Sequence, residues 1–253
     1  MLLYTNGCSH TTGDDRALGE DIWLKNYPHH LFRLMTAGKT GSHNLINKGI
    51  SGNNNQLMMS NVIRDLQNIK PDYAVIQFTH ANRFWTPGHS HQPNGVHVPP
   101  TFVKTGTTRG SSDGDAVNKD FYMMHMMSQY AFVECTFQMI SWMKYIEIFL
   151  KSKDIPYTFI VWPHIFPPCY DEFESTLDHS RILNYENGQY YGMCQLMPTH
   201  GYHYPGSNHH FEEPGQKFIA KAIYEHATNG TKLVTKSKIE REVDTDKFID
   251  SLY

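Results

Sequence analysis

The sequence predicts an α/β fold, a three-layer α/β/α sandwich built around a central parallel sheet. Three observations predict it. Short β-prone segments alternate with helical ones in the order β, α, β, α, β, α, β, α, the pattern of a parallel sheet with helices on both faces. Residues 73–79 (Tyr-Ala-Val-Ile-Gln-Phe-Thr) are almost continuously apolar, which suits a strand covered on both sides. The polar loops 7–15, 49–55, 79–85 and 163–169 each follow a strand, and carboxyl ends of strands are where such sheets collect their sites.

Residues 1–6 read as a buried first strand, ended by the small and polar run Gly7-Cys8-Ser9-His10-Thr11-Thr12-Gly13. Residues 22–36 carry a helical apolar pattern broken near Pro28. Residues 43–48 form a second strand. Residues 56–69 set Leu57, Met58, Val62, Ile63, Leu66 and Ile69 at helical spacing, and Pro71 stops that helix. Residues 86–120, rich in Gly, Pro, Ser, Thr and His, form a long insertion, because regular structure resumes on both sides. Residues 121–150 are the strongest helix, with Phe132, Cys135, Met139, Trp142, Ile146 and Phe149 on one stripe. Its many Met and aromatic residues are core material. Residues 157–162 are a fourth strand, ended by Pro163, and 163–209 read as irregular. A last helix covers 214–227, with Pro214 in its first turn. Residues 1–228 are thus expected to be one domain, and 229–253 a charged appendage.

Bulk properties narrow the function. Apolar residues make up 40% of the 253 and charged residues 19%, with a net charge of −3, so neither nucleic acid nor an anionic membrane is an expected partner. Cys8, Cys135, Cys169 and Cys194 make no C-x-x-C pair, and reduced thiols are expected. The amino terminus lacks a basic start and a long apolar run, which predicts a cytoplasmic protein without a membrane span. The 16 histidines raise the alternative of a metal enzyme, since His200, His203, His209 and His210 crowd one loop and His89, His91 and His97 another. No H-E-x-x-H occurs, and neither a metal nor another cofactor is expected.

Four polar or small residues at strand ends carry the chemistry. Ser9 follows the first strand, where its hydroxyl is presented at the mouth of the sheet. It needs a base to become a nucleophile, and alone it reads as a turn or N-cap serine. Gly52, in Gly49-Ile50-Ser51-Gly52-Asn53, offers a backbone N–H at a strand-to-helix turn. Asn82, in His80-Ala81-Asn82-Arg83, offers an amide donor. Ser207-Asn208-His209-His210 precedes the last helix and lies at the same edge of the sheet as Ser9.

In this order the four blocks resemble the SGNH (GDSL) hydrolase superfamily over residues 1–227. Gly7-Cys8-Ser9 stands for the first block and Ile50-Ser51-Gly52-Asn53 for the second. His80-Ala81-Asn82-Arg83 matches the third. His210-Phe211-Glu212-Glu213-Pro214-Gly215 matches the last, where spacing to Gly215 favours His210 over His209 as the base. The resemblance implies a flavodoxin-like sheet, Ser9 as nucleophile, His210 as base, and an oxyanion hole from the Ser9 and Gly52 N–H groups and the Asn82 side chain. Cys8 departs from the usual Asp, and His80 and Arg83 from the usual Gly and Asp. Three residues before His210, where the family places its triad Asp, stands Ser207, and next to it Asn208. Asn208, a backbone carbonyl, or a carboxylate such as Glu212 or Glu213 is left to orient the ring. The expected substrate is a small-molecule or carbohydrate ester carrying a short acyl group, in a pocket lined by His80, Phe84, Trp85 and Trp162. The alternative is a catalytically weak or inactive carbohydrate-binding or assembly module on the same fold.

Overall fold

The computed structural model describes residues 1–13, 18–51, 53–81, 85–87, 102–104, 129–162, 175–204 and 210–233. Strands β1 (Leu2–Asn6), β2 (Asn44–Asn47), β3 (Tyr73–Phe78) and, after a two-stranded hairpin, β6 (Tyr157–Val161) form one sheet in the order β2-β1-β3-β6. Every neighbouring pair is parallel, with Tyr4 opposite both Ile46 and Ala74, and Ile76 opposite Phe159. Placing the second strand outside the first and the later strands on its other side is the flavodoxin-like arrangement. The hairpin strands β4 (Trp85–Pro87) and β5 (Phe102–Lys104) pair antiparallel, at the start of and within the predicted insertion.

The strand residues alternate between two cores because successive side chains leave opposite faces of a sheet. Tyr4, Ala74, Ile76, Phe78, Phe159 and Val161 face helices α4 (Asn55–Leu66) and α5 (Gln129–Ser152), through Met58, Val62, Met139, Met143, Ile146 and Leu150. Leu3, Val75, Ile160 and Trp162 face helices α3 (Tyr27–Thr36) and α7 (Glu213–Asn229), through Tyr27, Leu31, Ile219 and Ile223. All six β3 residues are buried. Each large apolar side chain so buried stabilises the fold by about 1.5–3 kcal/mol.

Four readings of the sequence are refined. The break near Pro28 falls at Asn26: α2 (Ile22–Lys25) ends there, and the Asn26 side chain accepts from the His29 N–H at 3.1 Å and caps α3, with Pro28 in its first turn. On α5 the core stripe includes Met143 and Leu150, whereas Trp142 and Phe149 are half-buried. The same helix buries Glu147. Its carboxylate accepts from Lys151 at 2.7 Å, Lys144 at 3.2 Å and the Asp178 N–H at 3.1 Å, the partners a buried charge requires. Residues 163–209 are not irregular throughout. They include a 3₁₀ turn (His179–Arg181), a hairpin of β7 (Tyr185–Glu186) and β8 (Gln189–Tyr190), and helix α6 (Met193–Thr199). Finally, the first residues of the charged appendage pack on the domain. The Leu233 N–H donates to the Leu183 carbonyl at 3.0 Å, and the Lys232 ammonium to the carbonyls of His179, Ser180 and Ile182. Residues 234–253 lie outside the described residues. Among the described residues no helix is long and apolar enough to cross a membrane.

Candidate active site

The chain leaves β1 at Asn6 and turns at once into a one-turn helix, α1 (Ser9–Thr12). Cys8 is extended, and its carbonyl accepts from the N–H groups of both Thr11 and Thr12, at 2.9 and 3.1 Å. That turn needs glycine at position 7. A Cβ there would lie 2.2 Å from Thr11 Oγ1 and 2.8 Å from Gln77 Oε1, closer than non-bonded atoms approach. The space is taken by a buried polar network. Gln77 Oε1 accepts from Thr11 Oγ1 at 2.8 Å and from the Cys8 N–H at 3.3 Å, and Thr11 Oγ1 also bonds the Tyr27 hydroxyl at 2.9 Å. The Cys8 side chain, where the resembled family has Asp, is fully buried against Gln77.

From the next loop, Asn53 Nδ2 donates to the Gly7 carbonyl at 3.1 Å and the Ile50 N–H donates to the same oxygen at 3.1 Å. Asn54 caps α4 by accepting from the Leu57 N–H at 2.8 Å. Asn55 bonds both backbone groups of Thr79. Asn53 and Asn55, on either side of the capping Asn54, thus tie the loops after β1, β2 and β3 together, and all three are buried.

On this frame Ser9 Oγ meets His210 Nε2 at 2.8 Å, across 201 residues of sequence. Ser9 is only 6% exposed. His210 precedes α7, and Gly215 lets that helix close on it: a Cβ on Gly215 would lie 2.8 Å from the Cβ of Phe211. Phe211 stacks on Tyr204 at 4.4 Å. His10, next to Ser9, stacks on Trp162 at 3.6 Å with 19° between the planes, and lies 4.6 Å from the His210 ring at a 39° tilt. Trp162 is held in turn. Its backbone N–H bonds the Phe78 carbonyl at 3.0 Å, and its indole bonds the Tyr204 hydroxyl.

The other expected site residues fall as follows. Trp162 is 1% exposed and lies under His10, so it supports the site rather than lining a pocket. His80 is half-buried just past β3. Trp85 lies in β4, and its backbone pairs with Lys104. Gly52, Asn82, Phe84, Asn208, Ser207 and His209 lie outside the described residues. Glu213, one of the carboxylates left to orient the base, is engaged elsewhere: it binds Lys217 at 2.7 Å and faces His30 at 3.6 Å. The Lys217 hydrogen bond holds its carboxyl below the ordinary range. Glu212 is exposed. Of the histidine-rich loop, His200 lies against Phe218 at 4.8 Å. The supporting roles of Gln77, Asn53, Asn55 and His10 were not legible from the sequence, where each is an ordinary strand, loop or turn residue.

A buried serine is thus hydrogen-bonded to a histidine at the carboxyl edge of a parallel α/β sheet. No family model matches the chain, and no curated protein matches it. It is similar to solved structures of esterases and lipolytic proteins of the G-D-S-L family. A catalytic mutant of the acetylxylan esterase Axe2 from Geobacillus stearothermophilus has 15% identity over 93% of this chain and 97% of that one, with a TM-score of 0.46. TesA has 11% identity over 91% and 99%, with a TM-score of 0.45. A member of the lipolytic protein G-D-S-L family from Veillonella parvula has 9% identity over 88% and 96%, with a TM-score of 0.43. Likeness at this level carries no chemistry across, and the reading of the site rests on its own geometry.

Proposed function

We propose that the protein is a serine esterase of the SGNH type, which cleaves a small acetyl-type ester, carried on a carbohydrate, through an acyl-enzyme on Ser9. The observation that carries this reading is the 2.8 Å contact between Ser9 Oγ and His210 Nε2. It is the hydrogen-bond reach that general-base catalysis needs. His210 takes the hydroxyl proton as Ser9 Oγ attacks the ester carbonyl. The oxyanion is received by the Ser9 and Gly52 N–H groups and the Asn82 amide. His210 then gives its proton to the departing alkoxide, and a water deprotonated by the same ring releases the acid. Asn208 is assigned to orient the His210 ring from the adjoining loop. His80, Phe84 and Trp85, all following β3, are assigned to the substrate. Aromatic faces suit sugar rings as well as acyl groups, which is the support for a carbohydrate ester.

The test is hydrolysis of p-nitrophenyl acetate by the wild-type protein and by Ser9→Ala. Turnover abolished by the substitution supports the reading. Equal rates in both proteins, or none in either, overturn it and favour the non-catalytic carbohydrate-binding module.

A further inference from the structure

We propose that His10 is a positioning residue for the base, its imidazole face holding the His210 ring on Ser9. The inference rests on Ser9 and His210 being nucleophile and base, and goes beyond that reading by adding to Asn208 a second support, against the face of the ring.

Three observations carry it. First, the loop leading to the base, Pro205-Gly206-Ser207-Asn208-His209, contains no carboxylate, and Glu213 is bound to Lys217. Second, His10 contacts His210 at 4.6 Å between ring centres, inside the range in which aromatic pairs attract. Third, His10 is itself immobile. It is 5% exposed, fixed by its place in α1, and stacked on Trp162 at 3.6 Å. Trp162 is tied to Phe78 and Tyr204 and packs on Phe211, the residue after the base, at 6.0 Å. The base and its support thus belong to one aromatic column, from Tyr204 through Phe211 and Trp162 to His10 and His210.

A ring fixed against the base keeps it within hydrogen-bond reach of Ser9 Oγ, and a displaced catalytic group loses rate rather than substrate affinity.

The experiment compares His10→Leu and His10→Phe with the wild-type protein on p-nitrophenyl acetate, with Ser9→Ala as the reference for the parent reading. Leucine keeps the buried apolar volume but removes the ring, and phenylalanine keeps the ring but removes the nitrogens. His10→Leu is expected to lose about 10- to 100-fold in kcat with KM unchanged, as a displaced catalytic group does. His10→Phe is expected to stay within about threefold of wild type, since the ring face is retained. A His10→Leu enzyme within about twofold of wild type, or a His10→Phe enzyme as slow as His10→Leu, overturns the proposal while leaving Ser9 as nucleophile. Wild-type turnover that survives Ser9→Ala overturns the parent reading and the proposal with it. A measurement on the unsubstituted protein covers any folding failure of the variants. The proton NMR signal of the His210 ring, assigned by its loss in His210→Gln, is expected upfield of a free imidazole because it lies against His10. A signal at the free position overturns the ring contact.

Discussion

The side chain of Asn55 brackets the backbone of Thr79: its Oδ1 accepts from the Thr79 N–H at 2.8 Å, and its Nδ2 donates to the Thr79 carbonyl at 3.1 Å. The bracket fixes the chain where it leaves β3, one residue before His80 and three before Asn82. Asn184 does the same for Val161 at the end of β6, accepting from its N–H at 3.0 Å and donating to its carbonyl at 2.5 Å. Two of the strand ends that border the site are therefore held by buried amides rather than by further sheet.

Asn55→Ala strips partners from two buried backbone groups. Each group left unpaired costs about 1–3 kcal/mol, so a total loss of about 2–6 kcal/mol is expected. Urea denaturation checks it. A midpoint unchanged from wild type would mean the bracket contributes nothing.

Gly7→Ala drives a methyl into Thr11 Oγ1 and Gln77. Relief requires Thr11 or Gln77 to abandon the network with Tyr27 and Cys8. Overpacking of this kind costs about 1–3 kcal/mol, and because α1 carries Ser9, kcat is expected to fall by at least about tenfold from misplacement. Thermal melting and p-nitrophenyl acetate kinetics on the same sample read both effects.

Asn82→Ala is expected to lower kcat about a hundredfold or more if its amide is an oxyanion donor. KM should hardly change, because the donor acts on charge that develops in the transition state. An unaltered kcat would remove Asn82 from the oxyanion hole.

Stability should fall on the acid side of neutrality, for a stated reason. Burial, helped by nearby Lys232, holds the His226 imidazole below its usual 6.5. Burial acts the same way on His30, against the pull of Glu213. The unfolded chain therefore takes up protons as the pH drops past 6.5 while the folded chain resists. The stability these groups contribute is complete above that pH and is lost as the pH falls through their lowered folded values. Asp178 works in a separate window. Burial pushes its carboxyl up, but hydrogen bonds from Ser180 and Lys151 outweigh that and hold it below 3.8, so its contribution is lost only in stronger acid. Urea midpoints across the range below pH 6.5 should decline in the wild-type protein and decline less in His226→Gln. Parallel declines would exclude His226 as a source.

The sequence carries the strands well and the helix faces less well. Segments such as 73–78 are apolar but for Gln77 and bounded by Pro71 and polar loops, so their strand character needs no tertiary information. On α5 apolar residues occupy more than one face. Periodicity therefore admits Trp142 and Phe149 as readily as Met143 and Leu150, and the sheet decides between them. Helix α6 is hidden because Pro198 reads as a breaker, yet it is the next-to-last residue of a short helix, where little is left to break. The β7–β8 hairpin does leave a signal, the Asn187-Gly188 pair, both with positive φ. At the site, Ser9 and His210 are legible because chemistry restricts which residue types can serve there. Gln77, Asn53 and Asn55 are not, since their roles consist of bonds to groups far away in sequence.

The measurement that tests the central claim most directly is intact-protein and peptide mass spectrometry after treatment with a fluorophosphonate, which forms a stable adduct only with an activated serine. The predicted result is one adduct per chain, on the peptide containing Ser9, absent from Ser9→Ala and greatly slowed in His210→Gln. An unmodified Ser9 in the folded protein, or labelling that proceeds at the same rate without His210, would contradict the account.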